Sequence, residues 1–87
     1  MSHTNKTLET RGSRYGSFET QSQLCQNLKD VMKLTAGWNA LAPHQKESLQ
    51  MIQHKIARIL NGDPNYSDSW HDISGYATLV ENMLEYK

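Results

Sequence analysis

Two aspartates, Asp68 and Asp72, bracket Trp70 and His71 in the stretch "SDSWHDISGY", four residues apart. On a helix that spacing puts both carboxylates on one face. The two would begin the oxygen set of a hard cation such as Mg²⁺, which takes one or two carboxylates beside waters and a phosphate. Two other readings compete. Acidic residues in a helix's first turn meet the positive end of the macrodipole and offer capping oxygens, an effect of about 0.3–1 kcal/mol each. Asp72 could instead pair with Lys55 or Arg58 across a helix hairpin and fix its register.

A second constellation lies near the N-terminus, in "RGSRYGSF". Arg11, Arg14 and Tyr15 combine two guanidinium groups with a ring between glycine-permitted turns, the parts needed to grip a phosphate and stack on a base. Lys55 and Arg58 would join them as an anion-facing set. The competing reading is a basic tail that packs Tyr15 and Phe18 over the end of a bundle. The histidines, His3, His44, His54 and His71, show no zinc-helix spacing, and periodicity puts them on polar faces or in the arm. Cys25 is the sole cysteine, so no internal disulfide and no cysteine-based zinc cluster can form. At the edge of an apolar helical face it reads as a small buried thiol, without a basic or histidine neighbour in sequence to make it a nucleophile.

The elements that must position these groups are helical. Leu24, Leu28, Val31 and Met32 follow the i, i+4, i+7, i+8 rule, with Ser17 as N-cap and Gly37 as stop. In the connector "AGWNALAP", Trp38 and Leu41 are expected to plug the end of the core, and Pro43 suits the first turn of a new helix. That second helix, about Pro43 to Leu60, gathers Leu49, Ile52, Ile56, Ile59 and Leu60 on one side and turns Glu47, His54 and Arg58 away. Asn61-Gly62-Asp63-Pro64 ends it, with Gly62 as a left-handed cap and Pro64 forbidding continuation. A third helix starts between Ser67 and Ser69, where Ser69 and Asp72 have capping-box spacing and Ser67 and Asp68 are rival caps. Its apolar face is Trp70, Ile73, Tyr76, Ala77, Val80 and Leu84, with Leu79 and Met83 at one margin. Gly75 costs about 1 kcal/mol relative to alanine inside a helix, which suggests a close approach by another helix or a ligand. Gly75, Leu79 and Met83, with Met51 on the polar side of the second helix, form the candidate interface.

Composition narrows the classes. At 87 residues the chain is one small domain, in the size range where a lone core gives a few kcal/mol and an oligomer helps. Nine acidic residues balance nine basic ones, which disfavours nucleic acid as partner. No run approaches the ~18 apolar residues of a membrane helix. No export signal is legible, and a reducing cytoplasm fits the cysteine usage.

With "RGSRYGSF", "WNALAPHQKESLQMI" and "HKIARILNGDPNYSDSWHDISGYATLVE" in one order, the chain resembles a family of short proteins encoded by tailed phages and prophages. The resemblance spans nearly the whole length and implies a bacterial cytoplasm and an accessory role. More distantly, the helix, "NGDP" turn and helix are similar to the helical core of MazG-like nucleotide pyrophosphohydrolases and related phage dATP/dGTP diphosphohydrolases. That resemblance implies an oligomer that sets carboxylates from two adjacent helices around Mg²⁺. Glu47 would stand on the first helix and Asp68 or Asp72 on the second, with Lys55 and Arg58 as phosphate partners. The E-x-x-E and E-x-x-D pairs of those enzymes are absent.

The expectation is therefore an all-α protein: a small three-helix bundle over residues 17–87 with a C-terminal antiparallel hairpin, behind a flexible arm over 1–16. Its expected role is to bind, as a homo-oligomer and without turnover or cofactor, a nucleotide-like ligand or a host protein, in counter-defence or host takeover. The alternatives are a Mg²⁺-dependent nucleotide pyrophosphohydrolase and a structural interaction module.

Overall fold

A computed structural model describes residues 14–85, so His3, Arg11 and most of the arm lie outside the described residues. Every regular element among the described residues is helical. Helix α1 runs Phe18–Met32, α2 Ala36–Ala40, α3 Pro43–Asn61 and α4 Ser67–Glu85. The small all-α bundle is as expected. The central helix is α3, with α1 packed on one flank and α4 on another.

Local chemistry explains the boundaries. The Ser17 hydroxyl accepts from the Thr20 N–H at 3.2 Å and caps α1. Gly37 does not stop that helix: α1 ends at Met32, and Gly37 sits inside α2, because Thr35 caps the next helix with its hydroxyl on the Trp38 N–H at 3.3 Å. Trp38 is buried beneath this short turn of helix, the plug its sequence promised. Helix α3 starts at Pro43, and Gln45 Oε1 reaches back to accept from the Ala42 N–H at 2.9 Å. Helix α4 starts at Ser67, one turn before the capping-box reading would place it. Ser69 is therefore inside the first turn and buried, its N–H on the Tyr66 carbonyl.

The hairpin of α3 and α4 is antiparallel and held in register by Lys55 Nζ on Asp72 Oδ2 at 3.0 Å. Asp72 thus serves the cross-hairpin role. The seam between α1 and α3 is polar: Cys25 Sγ lies 3.4 Å from His54 Nδ1, and Gln21 Nε2 lies 3.5 Å from His54 Nε2. His54, assigned by periodicity to a wet face, is instead part-buried between helices, because α1 covers that side of α3. His44 is half-buried too, with Nε2 unpartnered among the described residues.

The largest departure concerns the core. Buried hydrophobic residues are Cys25, Trp38 and Ala57, alongside buried Gln21, Ser48, Gln53 and Ser69. Leu49, Ile56 and Leu60 of α3, and Trp70 and Leu84 of α4, all expected inside, are exposed. Phe18, expected over the bundle end, is also exposed. The strongest apolar stripe of α3 lies toward the gap between α1 and α4 and is incompletely covered, with Ile52 and Ile59 half-buried.

Candidate functional site

The end of α3 brings together segments far apart in sequence. Asn61 Nδ2 donates to the Tyr15 carbonyl at 2.8 Å and to the Ser17 carbonyl at 3.1 Å. The Asp63 N–H donates to the Arg14 carbonyl. Two backbones therefore run against each other, and both glycines at the crossing are required by space. A Cβ on Gly62 would strike the Arg14 carbonyl and Tyr15 Cα, and one on Gly16 would strike Asn61. Gly16 also has φ +78°, where an L side chain is disfavoured. Gly62 is not the expected left-handed cap, since its φ is −143°. Its missing side chain makes room for the arm.

The docked backbone carries Arg14 and Tyr15 onto the hairpin. Arg14 lies 4.6 Å above the Tyr66 ring centre, and its Nη1 donates to Tyr66 Oη at 3.2 Å. That hydroxyl in turn donates to Asp68 Oδ2 at 2.8 Å. Tyr15 meets Tyr66 edge to face at 6.1 Å, and Arg58 covers the Tyr15 ring at 4.2 Å. The order is Arg58 on Tyr15, Tyr15 on Tyr66, Tyr66 beneath Arg14. The Tyr66 phenol is held above its ordinary pKa of 10.0, first because its proton is shared with Asp68, whose negative charge adds to the effect, while Arg14 opposes it.

Of the anion-facing set, Arg14, Tyr15 and Arg58 form one corner. Lys55 stands one turn from Arg58 but is engaged by Asp72, and Arg11 lies outside the described residues. Neither Arg14 nor Arg58 ion-pairs with a carboxylate among the described residues, and Arg58 Nε is buried without an acceptor there. A guanidinium group stacked on a ring can still donate from its edge, as Arg14 does to Tyr66. The corner thus sets two guanidinium groups against linked tyrosine rings.

The carboxylates do not assemble in the same way. Asp68 accepts from Tyr66, Asp72 from Lys55, and Glu47 is an exposed residue of α3. Among the described residues no three His, Cys, Asp or Glu side chains come together to hold a metal. On the margin of α4, His71, Asp72, Gly75, Tyr76 and Leu79 line an open concavity of about 360 Å³. A Cβ on Gly75 would meet nothing within 4 Å, so no neighbour within the described residues explains that glycine. Leu79 and Met83 beside it are exposed, and Met51 is half-buried rather than on a wet face.

Sequence reasoning missed Tyr66 and Asn61. Tyr66 is the one aromatic in a turn of polar residues, a signal that was available. The role of Asn61 had no local signal, because its partners are 46 and 44 residues away.

A family described as a domain of unknown function, DUF6378, matches residues 1–84, and the chain belongs to that family. No curated protein matches the chain. No solved structure matches it either.

Proposed function

We propose that this DUF6378 chain is a binding protein whose arginine–tyrosine corner takes a phosphate-bearing, nucleotide-like ligand without turning it over. The observation that carries the reading is the convergence of Arg14 and Arg58, from segments 44 residues apart, on the linked rings of Tyr15 and Tyr66. Two guanidinium groups that have no carboxylate partner among the described residues supply charge-assisted hydrogen bonds to an oxyanion. The rings supply a surface on which a base can stack. The likeness of the "RGSRYGSF" and "DSWHDISGY" segments to phage and prophage proteins supports an accessory role in a bacterial cytoplasm during infection or lysogeny. No helix among the described residues is long and apolar enough to cross a membrane.

The test is ligand-induced thermal stabilisation of the full chain with inorganic phosphate and a panel of nucleoside mono- and triphosphates, with and without Mg²⁺. A saturable rise in Tm with at least one nucleotide is expected. Arg14→Ala and Arg58→Ala should each weaken apparent affinity by about 10-fold or more, the scale of a lost hydrogen bond to a charged group. A flat response across the panel would overturn the reading and leave capture of a host protein. Release of monophosphate and pyrophosphate would replace it with the pyrophosphohydrolase alternative.

A further inference from the structure

The single chain leaves much of its apolar surface uncovered. Apart from Trp38 its buried positions are small or polar, while Leu49, Ile56 and Leu60 on α3 are 41%, 39% and 67% exposed. The reason is rotational. Lys55 turns one side of α3 to α4, and His54 turns another to α1. At about 100° per residue, Leu49, Ile56 and Leu60 share a third side facing the gap between those helices. Two concavities, of about 310 and 470 Å³, flank that ridge and have Leu41, Leu49 and Ile52 in common. One is completed by Ala77 and Val80 of α4, the other by Met32 and Trp38. Together they make one apolar trough along the bundle, with Leu41 near one end.

We propose that a second copy of this chain packs on the trough, and that the two copies complete each other's core around a two-fold axis. Three observations select that occupant. The uncovered ridge is the stripe that makes α3 amphipathic, and a helix of this length gains most of its stability from burying that stripe. Whatever covers it must be present whenever the chain folds, as a second copy is. No charged side chain lines either concavity. A two-fold axis sets the same patch of each copy against the other, and an uncharged surface meets itself without repulsion. The arm is a poor occupant: residues 1–13 contain Met1 and Leu8 as their large apolar side chains. The exposed ridge, with the exposed Trp70 and Leu84 of α4 continuing the line of Ala77, supplies the apolar centre of a standard interface of about 800 Å² per partner. This surface is not the Gly75–Leu79 margin, which lies on the other flank of α4.

Sedimentation equilibrium of the full chain over a range of micromolar concentrations tests the proposal. The expected mass is twice that of the 10.0 kDa chain. Ile56→Glu, which sets a charge in the apolar contact, should raise the dissociation constant about 100-fold or more. Leu79→Glu, on the opposite flank, should leave it unchanged. If Ile56→Glu does not fold, Leu49→Gln serves, because that side chain lines both concavities and is 41% exposed, and its loss should weaken association about 10-fold. A folded, cooperatively melting monomer at these concentrations overturns the proposal. So does a dimer whose mass is insensitive to both trough variants.

Discussion

Gly16 and Tyr66 show how much at this corner depends on single residues. At Gly16 a Cβ would collide with Asn61, and the positive φ adds the ordinary left-handed penalty. Gly16→Ala should cost about 2 kcal/mol or more in urea unfolding. It should also free the arm, seen as new protease sensitivity around Arg14. Tyr66 gives a titration test. Its neutral phenol donates to Asp68, so its pKa in the folded protein lies above the ordinary 10.0. A raised pKa means that the contribution to stability is complete below pH 10 and lost as pH climbs through the folded value. Ultraviolet titration of the tyrosines should therefore show one late-ionising phenol. It should vanish in Tyr66→Phe and move back toward the others in Asp68→Asn. A Tyr66 that ionises with the rest in the wild-type chain would show that the hydrogen bond to Asp68 is not held in solution. Of this corner, the sequence made the arm's chemistry and Arg58 legible, since arginine and tyrosine between glycines are uncommon in a plain linker. It concealed Asn61 and the collision geometry, because both depend on a backbone crossing with no local pattern.

Between α3 and α4 the governing contact is Lys55 with Asp72. The Lys55 side chain is 12% exposed and that of Asp72 42%. A mostly covered ammonium group that loses its partner is worse off than a surface one. Asp72→Asn should thus destabilise by about 1–2 kcal/mol, above the usual surface pair. A double-mutant cycle with Lys55→Gln should recover most of that as coupling. Additive single effects would assign Asp72 a different role, such as ligand contact. Gly75 gives a prediction of opposite sign. Nothing in the described residues approaches its missing Cβ, so Gly75→Ala should stabilise α4 by about 0.5–1 kcal/mol, the helix-propensity difference. A loss of stability or of association would place a partner against that margin. Helix existence and caps such as Ser17 and Pro43 were legible, since periodicity and capping act within one turn. The rotation of α4 was less so. Its apolar arc reaches from Leu79 round through Tyr76 to Trp70, wider than one helix neighbour can cover. Periodicity gives the arc but not which part meets α3; the Lys55–Asp72 pair settles that by drawing Asp72 inward and leaving Trp70 and Leu84 outside.

At the scale of the molecule, the mismatch between a helical sequence and a thin core has a thermodynamic consequence. A chain of 87 residues has little apolar surface to spare, and this one leaves Val31, Leu60 and Trp70 more than half exposed. If a second copy covers the trough, unfolding and dissociation are one process, and stability depends on protein concentration by mass action. Each tenfold dilution then lowers the apparent free energy by about 1.4 kcal/mol. For two chains melting together this corresponds to a fall in Tm of about 3–6 °C per decade. Calorimetry or circular dichroism from about 1 to 100 μM protein would read it directly as a slope of Tm against log concentration. Ile56→Glu should abolish the slope as well as lower Tm, because the charge removes the linkage and not merely some stability. A nucleotide bound at the arginine–tyrosine corner should raise Tm and leave the slope unchanged, since none of Arg14, Tyr15, Arg58 and Tyr66 lines the trough. A wild-type Tm independent of concentration, with a cooperative transition, would mean that the described helices hold their fold with the main stripe of α3 in water.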